Sequence, residues 1–230
     1  MTSNQPKPLL IGLKAARANL IPGVIIQGVM LAIVLAYYWH EPTRVLLNTL
    51  AAWKDRLGYG FSVPLAIVAG AVLPELFKRF ALQQGKMSGR SRGDFLFTVV
   101  FWGFMGASVD TFYRFQTIWF GGATTFFVLA KKVFVDQFIY NPFWAAPLQV
   151  WAYEWKNRSY ALAEISDFFT VEFYRTQIVP VLIATWGVWL VMITIIYSLP
   201  PLLQIPLFGL ALTFWVLIMT YISSRKSVRV

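Results

Sequence analysis

Long uncharged apolar runs, set apart by short basic clusters, organise the 230-residue chain. Leu20–Trp39 carries no charge, has Pro22 in its first turn and closes on Tyr37, Tyr38 and Trp39. About 20 apolar residues cover a hydrocarbon core of about 30 Å, and aromatic ends suit its interface, so this run predicts a first membrane span. Val45–Leu57 has a different period. Leu46, Leu47, Leu50, Trp53 and Leu57 recur at three- and four-residue spacing opposite Asn48, Thr49, Asp55 and Arg56. That predicts an amphipathic helix lying in the interface rather than crossing it. Phe61–Leu76, rich in Ala66, Ala69, Gly70 and Ala71, predicts a close-packed second span weakened by Pro74 and Glu75. Phe95–Phe112 predicts a third span with Gly103 and Gly106 on its packing face, and Gly121-Gly122 predicts a turn. Val133–Tyr153 predicts a fourth, interrupted by Pro142 and Pro147, followed by a loop or surface helix over Trp155–Arg175. Thr176–Ser224 is again uncharged but too long for one crossing, so Pro200-Pro201 divides it into two helices.

Composition sharpens this pattern into a class. The chain is 58% hydrophobic and 13% charged, with a mean hydropathy of +0.60. Soluble domains run nearer 45–50% apolar and about 25% charged. The expected fold is therefore an all-α integral membrane protein of about six embedded helices plus one interfacial amphipathic helix. Residues 1–19 form a basic tail and 20–230 a single transmembrane domain. A net charge of +10 would suit nucleic acid, but the basic residues sit between apolar runs, where they meet anionic lipid headgroups instead. Six spans would place 14 Lys and Arg on the side of both termini and 6 on the other, so both termini are expected on the more positive side. The acid-free start containing Lys7, Lys14 and Arg17 fits either mitochondrial targeting or an inside-facing tail. With no cysteine, disulfides, zinc-thiolate sites and thiol catalysis are excluded.

Little else reads as catalytic. His40, the one histidine, follows the aromatic end of the first span and reads as interfacial. No Ser/His/Asp set, metal-ligand cluster or phosphate loop can be assembled, so neither an enzyme nor a cofactor is expected. The charges that demand an account are Glu75, Asp110, Lys132 and Asp136, each within or beside a span, where a charge costs about 2.5–3.5 kcal/mol on insertion scales. Glu75 with Arg79, Asp110 with Arg114 and Lys132 with Asp136 have i,i+4 spacing, so simple helix-anchoring ion pairs are one reading. The other is that Asp110, Arg114, Lys132 and Asp136 line one polar vestibule between spans three and four.

The stretch Lys132-Val-Phe-Val-Asp136-Gln137-Phe-Ile-Tyr-Asn-Pro142 reads K-x-x-x-D-Q-x-x-x-x-P. It resembles the signature of the Mpv-seventeen / peroxisomal membrane protein twenty-two family, small multi-helix proteins of mitochondrial and peroxisomal membranes with bacterial and fungal relatives. Gly106–Tyr113 is similar to the family's G-P-x-x-H-x-W-Y, Pro180, Trp186 and Trp189 to its W-x-x-W-P, and Trp215 with Tyr221-Ile222-Ser223 to its closing helix. The resemblance covers Trp53 to Ser223, with the first span as an addition. Ala107 and Asp110 replace the family's Pro and His, Leu190 replaces the W-P proline, and the Q-x-x-N-F run is purely apolar. The resemblance implies a weakly selective small-solute channel of an organelle membrane, the mitochondrial inner membrane first and a peroxisomal or bacterial membrane as alternatives. Asp136 and Gln137, with Lys132 beside them, are the positions it carries over. A structural subunit packed among other membrane proteins is the rival expectation, favoured by the lost polar run and an aromatic content of 17%.

Overall fold

The structure is a computed structural model that describes residues 8–80, 89–162 and 165–227. Among these there is no strand. Seven helical stretches follow in order: α1 (Pro8–Trp39), α2 (Glu41–Leu57), α3 (Tyr59–Phe80), α4 (Gly89–Phe120), α5 (126–157), α6 (Val171–Tyr197) and α7 (Pro201–Ser227). By length and composition α1, α3, α6 and the Arg92–Phe120 part of α4 can each cross a membrane, and Pro201–Leu217 is a shorter apolar stretch.

The contacts fix the direction of each helix. α1 runs parallel to α6, since Gly12 meets Ile183, Gly23 meets Val188 and the Tyr38 hydroxyl donates to the Ser198 carbonyl. α3 and α4 run antiparallel, with Ser62 reaching Asp110 and Gly70 facing Trp102. α4 and α5 do the same, through Gln116 to the Lys132 carbonyl and Trp102 to Tyr153. One end of the bundle therefore holds Pro8, Phe80, Asn157 and Ser227 (the terminal end). The other holds α2, the Gly121-Gly122 turn and the α6–α7 turn, where Gly122 lies 3.4 Å from Pro201 by its Cβ position (the turn end).

Two expected boundaries shift. The first helix starts at Pro8 rather than Leu20, so most of the expected basic tail is helix packed along α6. Gly12 and Gly23 allow that approach, and Asn19 and Gln27 donate amide hydrogens to the α6 carbonyls of Ala184 and Val188 at 3.1 Å. The sixth helix begins at Val171, inside the stretch read as a loop or surface helix; Thr170 caps it by accepting from the Phe173 amide.

Nor do the prolines interrupt their helices. Pro74 follows a π-helical segment at Val68–Val72, Pro142 lies within one at Asp136–Ala145, and Pro180 follows one at Tyr174–Ile178. Widening the turn near a proline relieves its clash with the carbonyl four residues back and lets the helix continue. The carbonyls released in this way find donors on other helices. Gln137 O accepts from the Trp186 indole at 3.1 Å and Pro142 O from the Tyr174 hydroxyl at 3.0 Å.

The bundle is apolar outside as well as in. Ile21, Ile118, Phe126, Phe127 and Phe143 are all more than 70% exposed, whereas Lys54, Asp110, Gln116, Lys132, Asp136, Gln137 and Gln204 are buried. That inversion, with four helices long and apolar enough to cross a membrane, is the pattern that lipid as solvent favours. At the tightest helix contact, a Cβ on Gly70 would fall on the Trp102 indole. Gly70→Val is expected to destabilise the protein by about 1–3 kcal/mol, read as a lower melting temperature in mild detergent, while Gly28→Val, in open space, leaves it unchanged.

Candidate functional site

Two polar groups stand apart inside the bundle. At the turn end, α3 and α4 bring Ser62 and Asp110 together, and α2 turns Lys54 inward. Asp110 Oδ2 accepts from Lys54 Nζ and from Ser62 Oγ, both at 2.7 Å, and Oδ1 accepts from Arg114 Nε at 3.1 Å. Lys54 is 5% and Asp110 1% exposed, so this is a buried ion pair, whereas Arg114 lies at the surface with its guanidinium over the Tyr59 ring. The i,i+4 reading of Asp110 with Arg114 is thus half the account. The stronger partner, Lys54, comes from the helix expected in the interface. Leu46, Trp53 and Leu57 do face outward from that helix, but Lys54 belongs to its inner face, and no periodicity argument singled it out. Glu75 and Arg79 form the expected surface pair at 3.0 Å.

The second group lies between α4, α5 and α6. Asp136 Oδ2 accepts from the Tyr197 hydroxyl and Oδ1 from Gln137 Nε2, each at 2.7 Å, and Gln116 Nε2 donates to the Tyr197 oxygen at 2.9 Å. The expected Lys132–Asp136 ion pair does not form. The Asp136 amide still donates to the Lys132 carbonyl as in an α-helix, but the carboxylate turns to Tyr197 and Gln137 instead. Lys132 instead lies 1% exposed with its ammonium 5.9 Å from the Tyr197 ring centre, and no ion pair of Lys132 occurs among the described residues.

Asp136 and Gln137 face a cavity of about 610 Å³ enclosed by α3 to α7. Asp110, Arg114 and Lys132 do not line it, so the single vestibule of four charges is not what the fold builds. A polar stripe on α5 runs down one wall: Asp136, Gln137, Tyr140, Asn141, Gln149 and Tyr153. Aromatic and small side chains, among them Trp102, Gly106, Tyr113, Trp189, Phe208 and Trp215, form the rest. A rise of about 1.5 Å per residue, less through the π segment, puts Tyr153 roughly 20–25 Å from Asp136. The terminal end of the cavity meets exposed Lys78. Toward the turn end it is closed by Asp136, Tyr113, Tyr197 and Gln116. Asn141, Gln149 and Tyr153 were legible as a three- and four-residue recurrence in line with Asp136-Gln137, a signal hidden by reading the stretch only as an apolar span.

Not every polar atom at the deep end is satisfied. Gln137 Oε1 and the Tyr113 hydroxyl are buried with no hydrogen-bond partner. Among the described residues, no group of three or more His, Asp and Glu gathers to hold a metal ion.

Removing one member of the buried pair is the more damaging change. Asp110→Leu strands the Lys54 ammonium and is expected to cost about 3–5 kcal/mol. Combining it with Lys54→Met should restore much of that loss, read as the melting temperature of the single and double variants in detergent. Strictly additive losses would mean that the two side chains do not interact.

No protein-family model, curated protein or solved structure matches the chain.

Proposed function

We propose that the protein is a small-solute membrane channel of the mitochondrial inner-membrane or peroxisomal type, with no catalytic role, using the cavity between α3 and α7 as its conduction path. The observation that carries this reading is the polar stripe from Asp136 to Tyr153. Polar side chains lining a long internal cavity are how a helical bundle admits hydrated solutes, because each displaced water is replaced by a side-chain dipole. The resemblance of Lys132–Pro142 to the Mpv-seventeen / peroxisomal membrane protein twenty-two signature supports the same choice, since Asp136 and Gln137 are its central residues and both face the cavity. Closure at the turn end corresponds to a resting state. Opening requires Tyr197 or Tyr113 to leave the Asp136 cluster.

A structural accessory subunit of a larger membrane complex is the second reading, favoured by that same closure. The chain Gln116–Tyr197–Asp136 ties α4, α5 and α6 together at the turn end of the cavity, as a packing element requires.

In the proposed topology α1 and α3 to α7 cross the membrane, α2 lies in the interface, and both termini share the more positive side. Reporter tags at Val230 and in the Gly121-Gly122 turn are expected on opposite sides, and a shared side would exclude six crossings.

Planar-bilayer recording of the pure protein under a salt gradient tests conduction. A carboxylate in a narrow low-dielectric passage favours cations. Asp136→Asn is expected to move the reversal potential toward anions, whereas Asp110→Asn, outside the cavity, leaves it in place. Absence of conductance from folded parent protein would select the subunit reading.

A further inference from the structure

The deep end of the cavity has an unusual chemical bias: apart from the Tyr113 hydroxyl hydrogen, its open valences are acceptors. Asp136 is a carboxylate-bearing side chain 5% exposed, and its two oxygens accept one hydrogen bond each, leaving further lone pairs. No cation among the described residues pairs with it. Beside it, Gln137 Oε1 accepts nothing, because the amide nitrogen of the same side chain is committed to Asp136. The Tyr113 oxygen is likewise free. Around these groups stand aromatic rings, with Tyr113 and Tyr197 at 5.1 Å between centres and Tyr140 stacked on Phe112.

From this geometry we infer that the deep end of the cavity is a binding site for a primary ammonium group, carried by a solute with an apolar or aromatic body. This takes from the channel reading only that small solutes enter from the terminal end. A primary ammonium brings three N–H donors and one positive charge. The Asp136 carboxylate takes the charge and one donor, Gln137 Oε1 and the Tyr113 oxygen, buried just behind the cavity wall, turn to accept the others, and the tyrosine faces add cation–π attraction in a desolvated setting. Behind the ammonium the walls turn to Trp189, Phe208 and Trp215, which accept a ring or a short alkyl chain rather than a second polar head. A simple anion is disfavoured by Asp136 itself. Water alone satisfies the acceptors but supplies no countercharge for a buried carboxylate.

The test uses the full chain in detergent, titrated with 2-phenylethylammonium chloride at constant ionic strength and followed by calorimetry. 3-Phenylpropan-1-ol, of similar shape but uncharged, serves as comparison. Saturable binding of the ammonium, at least about tenfold tighter than the alcohol, is the expected result, as a charge-assisted hydrogen bond to a buried carboxylate provides that much discrimination. Asp136→Asn should abolish the preference. Because that variant also alters the Tyr197 contact, Tyr113→Phe provides a second reading: its hydroxyl has no partner in the fold, so the variant keeps the parent's stability while weakening the ammonium severalfold and leaving the alcohol unchanged. Equal affinity for ammonium and alcohol, or no saturable binding to parent protein with its full helical circular dichroism, overturns the inference. The same preparations placed in planar bilayers separate the two proposals. Ammonium binding without conductance retains the site and removes the channel, and conductance with no ammonium binding does the reverse.

Discussion

A polar group shut inside an apolar helical bundle has no water to turn to, and this chain answers that constraint with partners drawn from distant helices. The bonds that cross between helices join Lys54 to Asp110, Gln116 to Tyr197, Tyr197 to Asp136, and Asn19 and Gln27 to α6. Each is made in surroundings where an unmet donor or acceptor costs several kcal/mol. Apolar side chains discriminate weakly between a neighbouring helix and a lipid tail, so contacts between them set little register on their own. The polar pairs set it. Once Lys54 must reach Asp110, α2 is held at the turn end, where it packs against α1 and α7.

The same constraint makes the π-helical segments useful. A proline removes a backbone donor and leaves a carbonyl without its helical partner. In soluble protein such a carbonyl faces water, but here Gln137 and Pro142 hand theirs to Trp186 and Tyr174 of α6. The proline that threatened α5 is thereby converted into two of the contacts that hold α5 to α6.

Much of the architecture was legible in the amphipathic and apolar periods. The amphipathic helix α2, the Gly121-Gly122 turn, the division at Pro200-Pro201 and the small-residue face around Gly70 all follow from local chemistry, and the structure places them as that chemistry requires. What local chemistry cannot supply is which helix a buried charge faces. Arg114 and Lys132 were visible as i,i+4 partners because that spacing is a property of one helix. Lys54 was not, because its partner lies 56 positions away and only the tertiary fold brings it near. Proline misled in the same way. Read alone it breaks a helix, and only the neighbouring donors that absorb its free carbonyl allow the helix to continue through a π turn.

The two polar groups differ in what they leave over, and that difference separates scaffold from site. Around Asp110 the accounting closes: three donors, two of them cationic, meet one carboxylate, and its near-complete burial leaves no room for a further ligand. Around Asp136 it does not close. Two neutral donors meet a carboxylate, the oxygens of Gln116 and Gln137 and the Tyr113 hydroxyl go unmet, and a cavity of about 610 Å³ adjoins Asp136, Gln137 and Tyr113. A fold that needed Asp136 only as an anchor would be served as well by an amide, which carries no charge to bury, or by a cation brought to it as Lys54 is brought to Asp110. Lys132 stands one turn away and is not used for the purpose. A carboxylate kept beside an open cavity with its countercharge withheld is the arrangement of a group whose partner arrives from outside.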